Sequence, residues 1–234
     1  MELTLPADFP FKSEVVVLDL ETSGLSPLGH QIIEIGLARF EPAAGQPRSA
    51  EVQTRLVKLP PGKQLSPEVA ELTGISEELL EADGVSLEEA ISWLVATVGP
   101  TAYLVGHNIL RFDWPFLNVA ISRLREQLGL ALDDGLLRWG RYIDTAAIYK
   151  ARQGGFHRQD REKLQDYYLR VLNTRNPGLK YNLAHACQEL GVPLDGLTLH
   201  RAAGDVQAVF RLFERLVVEK RPRTAGAGPD RISA

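Results

Sequence analysis

Asp19-Leu20-Glu21 sets two carboxylates two residues apart, directly after the apolar run at 15–18. Alternate side chains of an extended strand share a face, so both acids would leave the chain on the same side. Two like charges at the end of a buried strand are costly unless something neutralises them. A divalent cation would do so, and a ligand set made only of oxygens suits magnesium or manganese. The competing reading ends the strand before Asp19 and leaves both acids as solvated turn residues.

Two further segments carry similar chemistry. In His107-Asn108-Ile109-Leu110-Arg111-Phe112-Asp113, the aspartate stands three, four and seven positions before Phe116, Leu117 and Ala120. If that stretch is helical, Asp113 opens the apolar stripe and faces inward. The alternative is an N-cap, with Pro115 in the first turn. In His200-Arg201-Ala202-Ala203-Gly204-Asp205, the aspartate stands three residues after Ala202 and four before Val209. That spacing sets a charge inside a buried stripe, where it needs a partner. A salt-bridged Asp205 beside a surface His200 is the alternative. Strand ends and helix starts of an α/β sheet converge at one edge, and four carboxylates with one imidazole gathered there would make a metal-hydrolase centre. Zinc fits less well, because thiolate clusters and paired-histidine motifs are absent.

The elements that must position these groups are legible as a pattern. Residues 15–18 read as a strand buried on both faces. Residues 32–40 (IIEIGLARF) and 52–58 read as two more strands, separated by a turn cluster at 41–50 with Pro42, Gly45 and Pro47. Such short links predict an antiparallel meander. Ser86 with Glu89 forms a capping-box pattern ahead of the stripe Leu87, Ala90, Ile91, Leu94 and Val98. A short strand follows at 102–105, then the helix of Phe116, Leu117, Ala120 and Leu124, then a fifth short strand at 141–144. Helices are predicted at 181–190, stopped by Gly191 and Pro193, and at about 201–220. Three strands followed by interleaved helices and short strands indicate a single α/β domain with mixed strand directions.

Composition restricts the classes of function without selecting one. The chain has 234 residues, a formal net charge of −4 and one cysteine, Cys187, so it forms no internal disulfide. Leu183, Cys187 and Leu190 share a helical face, which reads the thiol as a small buried hydrophobe. The sequence contains no apolar run of about 18 residues and no basic start typical of a signal peptide, so no membrane partner is expected and a cytoplasmic location follows by default. A dinucleotide fingerprint after a strand is missing, which disfavours an oxidoreductase.

Taken in order, LDLETSG, HNILRFD and HRAAGD resemble the three exonuclease motifs of the DnaQ-like (DEDDh) superfamily. The last has the histidine form, H-x-A-x-x-D. IIEIGLARF, ELTGIS and YNLAHACQELGVP add to the likeness, which spans residues 15–216 and is nearest to the epsilon proofreading subunit of bacterial DNA polymerase III and its stand-alone relatives. The resemblance implies a ribonuclease H-like fold, a central five-stranded mixed sheet flanked by helices. It implies two divalent cations, Mg2+ or Mn2+, on Asp19, Glu21, Asp113 and Asp205, with His200 as general base. It further implies that Thr22 holds the terminal 3′-hydroxyl, that Leu25 and Ile75 wedge or stack the terminal bases, and that Asn108 shapes the pocket. The implied reaction is 3′-5′ removal of nucleoside 5′-monophosphates from DNA, preferentially single-stranded. RNA trimming in the same branch and a non-catalytic nucleic-acid-binding subunit are the alternatives. His107 is assigned a structural or pocket-lining role.

One stretch departs from the pattern. Residues 150–180 look like a basic insertion, with Lys150, Arg152, Arg158, Arg161, Lys163, Arg170, Arg175 and Lys180 interleaved with Phe156, Tyr167 and Tyr168. Cations and rings together suit a grip on a single strand. A solvated helix with core-facing aromatics is the alternative. The domain is expected over 1–220, and the tail at 221–234, which shows no periodicity, is expected to be disordered and offers no motif for a polymerase partner.

Overall fold

Val15, Val16, Val17 and Leu18 are buried, and the strand they begin is the middle of the sheet. The computed structural model describes residues 14–43, 46–128 and 135–218. Within them β1 (Val15–Thr22), β2 (Ile32–Ala43), β3 (Gln46–Leu56), β4 (Tyr103–Gly106) and β5 (Tyr142–Asp144) form one sheet in the order β3-β2-β1-β4-β5. β1 pairs antiparallel with β2, and β2 with β3, while β4 runs parallel to both β1 and β5. The sheet is therefore mixed, as expected.

Three boundaries differ from the sequence reading. β1 does not stop at Leu18 but continues through Thr22, so Asp19 and Glu21 sit within the strand. The ladder of β2 and β3 runs out to Ala43 and Gln46, through most of the segment read as a turn cluster. Pro42 and Pro47 face each other in that ladder, and proline is tolerated where its missing N–H is not needed for pairing.

The connection from β3 to β4 holds α1 (Pro67–Thr73), α2 (Glu77–Asp83) and α3 (Leu87–Val98). Neither α1 nor α2 shows a long apolar period. Each is started by a serine: Ser66 and Ser76 accept the N–H groups of Val69 and Leu79, the side-chain capping that short helices depend on. The capping box of Ser86 and Glu89 starts α3, whose Ala90, Ile91, Leu94 and Val98 are buried. α4 (Asp113–Leu128) buries Phe116, Leu117, Ala120, Ile121 and Leu124 in the same core.

α5 (Thr145–Gly154) and α6 (Leu164–Asn173) occupy the stretch read as a basic insertion. They are followed by α7 (Leu183–Glu189), capped by Asn182 on the N–H of His185, and α8 (Ala202–Val218). α8 lies against β1, β2 and β3. Cys187 is buried, as its helical spacing predicts. The tail at 221–234 lies outside the described residues. No described helix is long and apolar enough to cross a membrane.

Candidate active site

Asp19 and Glu21 leave β1 on one side because they are two residues apart in a strand. Across the β1–β2 ladder they face Gly36 and Glu34. β4 pairs with β1 only along Val15–Val17, so the farther half of β1 is open on that edge. Asp113, the first residue of α4, fills the opening: its Oδ1 accepts the N–H of Leu20 at 3.0 Å. The two sequence readings of Asp113 thus combine, since it begins the helix and also points inward, 3% exposed.

Asp205 comes from the first turn of α8. Gly36 lets that turn approach, because a Cβ there would stand 2.6 Å from Ala202 Cβ. One carboxylate oxygen from each of Asp19, Glu21 and Asp205 lies within 4.8 Å of the others. Asp113 stands outside this trio but close enough for its charge to act on Asp19. Three segments distant in sequence therefore meet at one place.

The electrostatics show what the place requires. Burial, reinforced by Asp113, Asp205, Glu21 and Glu34, raises the Asp19 pKa well above the usual carboxylate range. Burial also raises Asp113. Glu21 is pushed up to about 8 by burial and then by Asp205 and Glu34, against the opposing charge of Arg201. Asp205 rises to about 6 through burial, while the N–H and charge of His200 pull the other way. Such a group of acids cannot all ionise near neutrality without positive charge among them. The donor set is oxygen only, so the residues fit Mg2+ or Mn2+.

A stability prediction follows from the sign of these shifts. A carboxylate whose folded pKa lies above its unfolded value stabilises the fold at low pH, and that contribution is lost as pH rises through the folded pKa. Without cations, Tm is expected to fall between about pH 4 and pH 8, from the ordinary carboxylate range up to Asp205 near 6 and Glu21 near 8. Mn2+ should raise Tm most at the upper end, by roughly 2–4 °C for each kcal/mol of repulsion relieved. Glu21→Gln should stabilise the cation-free chain at the upper end. Thermal melts with and without Mn2+ at both pH values check this, and a cation effect independent of pH would refute it.

The other expected site residues divide. His200 is exposed, has a left-handed backbone (φ 62°), and donates its N–H to Asp205 Oδ2 at 3.0 Å. Thr22 is buried, and its Oγ1 donates to the carbonyl of Gly24 at 2.8 Å. Leu25 is 85% exposed, as a wedge against bases must be. Asn108 is also left-handed (φ 64°), and its side-chain Oδ1 is buried without a hydrogen-bond partner.

Ile75 is a correction. It is fully buried with Ile33, Leu65 and Leu80 in a satellite core, so it cannot stack on a base; the exposed apolar residue of that region is Leu72. In the basic stretch the rings follow the alternative of core-facing aromatics. Tyr167 and Tyr168 are core residues, and Phe156 packs against the core. Lys150 is buried and donates to the carbonyls of Leu172 and Thr174, and Arg170 makes a two-armed bond with Glu162. The rings follow the apolar face of α6, which leaves Arg158, Arg161, Lys163, Arg175 and Lys180 as exposed cations.

His107 has the expected structural role. Its Nε2 lies 2.7 Å from the carbonyl of Tyr181 and its Nδ1 3.0 Å from Thr145 Oγ1, and burial lowers its pKa to about 4. Two buried carboxylates beside the site escaped the sequence reading. Asp144 is fully buried and accepts the N–H groups of Asn108, Leu110 and Ala147, so it shapes the loop leading to Asp113 while capping α5. Glu34, also fully buried, accepts from Arg201 and from the N–H of Ala202. An acid inside the apolar run IIEIG was the signal for the second.

Comparison with known proteins gives the same grouping. The family model described as Exonuclease matches residues 16–213. Over 203 residues the chain is 31% identical to the PolC-type DNA polymerase III of Thermotoga maritima, covering 86% of this chain and 12% of that protein. It is 28% identical over 227 residues to three-prime repair exonuclease 1 of Bos taurus, covering 89% of this chain and 64% of that one. A zinc-bound complex of E. coli exonuclease I with single-stranded DNA superposes with a TM-score of 0.67 at 19% identity, over 91% of this chain and 42% of the other, a likeness of fold. The chain thus spans only a small part of the polymerases it matches. With its three acidic motifs drawn together at one edge of a mixed sheet, it belongs to the exonuclease family and carries the pattern of the DnaQ-like DEDDh branch.

Proposed function

We propose that this domain is a 3′-5′ exonuclease that hydrolyses the terminal phosphodiester of single-stranded DNA and releases nucleoside 5′-monophosphates. The observation that carries the reading is the convergence of Asp19, Glu21 and Asp205 within 4.8 Å, with Asp113 beside them. These four would hold two divalent cations, Mg2+ or Mn2+. When bound, the cations supply positive charge to the attacking and leaving oxygens of an in-line displacement.

The remaining roles fall to the chain itself. His200, exposed beside Asp205, takes the proton of the attacking water, a task for which imidazole is the suited side chain near neutral pH. Thr22 and the turn it closes on Gly24 hold the strand end, and Asn108, with its Oδ1 buried and unpartnered, shapes the pocket wall. Leu25, Leu28 and Leu72, all exposed, are the large apolar side chains available among the described residues to pack against terminal bases. The zinc-bound exonuclease I complex supports single-stranded DNA as the substrate by its likeness of fold.

The test uses 5′-labelled DNA and RNA oligonucleotides, with Mg2+, Mn2+ or EDTA. A ladder that shortens from the 3′ end on DNA and vanishes with EDTA is expected. Faster shortening of RNA would assign the activity to RNA trimming, and no shortening with either cation would leave a binding module.

A further inference from the structure

Glu34 lies directly across the β1–β2 ladder from Glu21 and is fully buried, yet it is not among the carboxylates whose oxygens converge. Its oxygens are otherwise engaged. Oε2 accepts from Arg201 Nε at 3.1 Å and from the N–H of Ala202 at 3.2 Å, and Oε1 accepts from Arg201 Nη2 at 3.0 Å. The guanidinium thus meets the carboxylate in the paired, planar arrangement that fixes orientation as well as charge.

What this pair holds is the entry to α8. His200, the residue before Arg201, has φ 62°, a left-handed conformation that side chains with a Cβ rarely adopt. Such a backbone persists only where its surroundings over-determine it. Here two carboxylates hold the residues around it. Asp205 accepts the N–H of His200, while Glu34 accepts the N–H of Ala202 and both arms of Arg201. The carbonyl of Arg201 in turn accepts the N–H groups of Gly204 and Asp205. Gly204 packs so closely on the carbonyl of Thr198 that no Cβ would fit. Arg201 is therefore tied both to the sheet and to the turn that bears Asp205.

We propose that the Glu34–Arg201 pair is a positioning device that locks His200 in its left-handed conformation beside the acidic centre, and that Glu34 is not a ligand of the cations. The inference rests on the reading of His200 as the base of the proposed reaction. Lysine at 201 would keep the charge but lose the fork, and glutamine at 34 would keep the shape but lose the charge.

The test compares Arg201→Lys and Glu34→Gln with the unaltered chain and with His200→Ala. It measures kcat and KM on a DNA oligonucleotide, Mn2+ stoichiometry by calorimetry without nucleic acid, and the line width of the His200 imidazole signals by NMR. Both variants should lower kcat about 10–100-fold with KM within about threefold. Mn2+ stoichiometry should be unchanged, and the imidazole signals should narrow as the ring becomes mobile. Arg201 is partly exposed, so its variant keeps the test open if Glu34→Gln does not fold. A kcat within about threefold of normal in a variant, where His200→Ala is inactive, would overturn the inference and leave the exonuclease reading intact. Loss of a Mn2+ site in Glu34→Gln would overturn it by making Glu34 a ligand. If His200→Ala stays active, the base assignment fails instead, and the imidazole line widths still decide whether the pair positions His200.

Discussion

Asp19→Asn is expected to slow strand-end hydrolysis by about 10³-fold or more while leaving the fold in place. A ligand carboxylate supports several kcal/mol of charge stabilisation, and each 1.36 kcal/mol corresponds to about tenfold in rate. Asparagine has nearly the same size and keeps one oxygen, so packing around β1 is retained. The substitution also removes a buried charge crowded by Asp113, Asp205, Glu21 and Glu34. The cation-free variant should therefore melt no lower than the unaltered chain at neutral pH, and its Tm should respond less to Mn2+. Oligonucleotide ladders and thermal melts check both halves. Activity within about tenfold of normal in the presence of Mg2+ would remove Asp19 from the centre.

Gly36→Val is expected to be the most damaging change that touches no charged group. Gly36 faces Asp19 across the ladder, and a Cβ there would stand 2.6 Å from Ala202 Cβ and 2.8 Å from that residue's backbone carbon and oxygen. None of these is the free end of a flexible side chain, so the first turn of α8 must move away from the sheet. Asp205 moves with it. Overpacking of this kind costs about 1–3 kcal/mol, and a displacement near 1 Å at a catalytic group costs about 10²-fold in rate. Gly140→Ala, where nothing lies within 4 Å of the added Cβ, is the control and should change neither. Melting and kcat on the same oligonucleotide check the pair. An unchanged kcat for Gly36→Val would mean that Asp205 does not depend on this close approach.

The strands and the motif helices were legible because their signals are local. The apolar run at 15–18 and the stripes of α3, α4 and α8 each fit one period. The spacing of Asp113 and Asp205 to those stripes offered an inward setting for both, beside the alternatives of a cap and a salt bridge. Elements held by a single capping side chain were not legible: α1 and α2 start on Ser66 and Ser76 and carry too few turns for a period to show. The extent of the β2–β3 ladder was hidden by Pro42 and Pro47, which read as turn residues yet pair with each other in it. Around α6, tyrosines among cations suggested a grip on nucleic acid, yet Tyr167 and Tyr168 lie on its buried face, Arg170 is paired with Glu162, and the exposed cations Arg158, Arg161, Lys163, Arg175 and Lys180 flank the helix. Asp144 and Glu34 were missed for a different reason. Their main partners, the N–H groups of Asn108 and Leu110 and the Arg201 guanidinium, lie far along the chain, so the sequence marks them only by an acid inside an apolar run (Glu34) or a local cap on Ala147 (Asp144).

Crystals soaked in Mn2+ and measured near the manganese absorption edge test the central claim most directly. Two anomalous peaks are predicted among the carboxylates of Asp19, Glu21, Asp113 and Asp205, about 3.5–4 Å apart, with Glu34 still bonded to Arg201. Peaks elsewhere, or none at this edge of the sheet under saturating Mn2+, would contradict it.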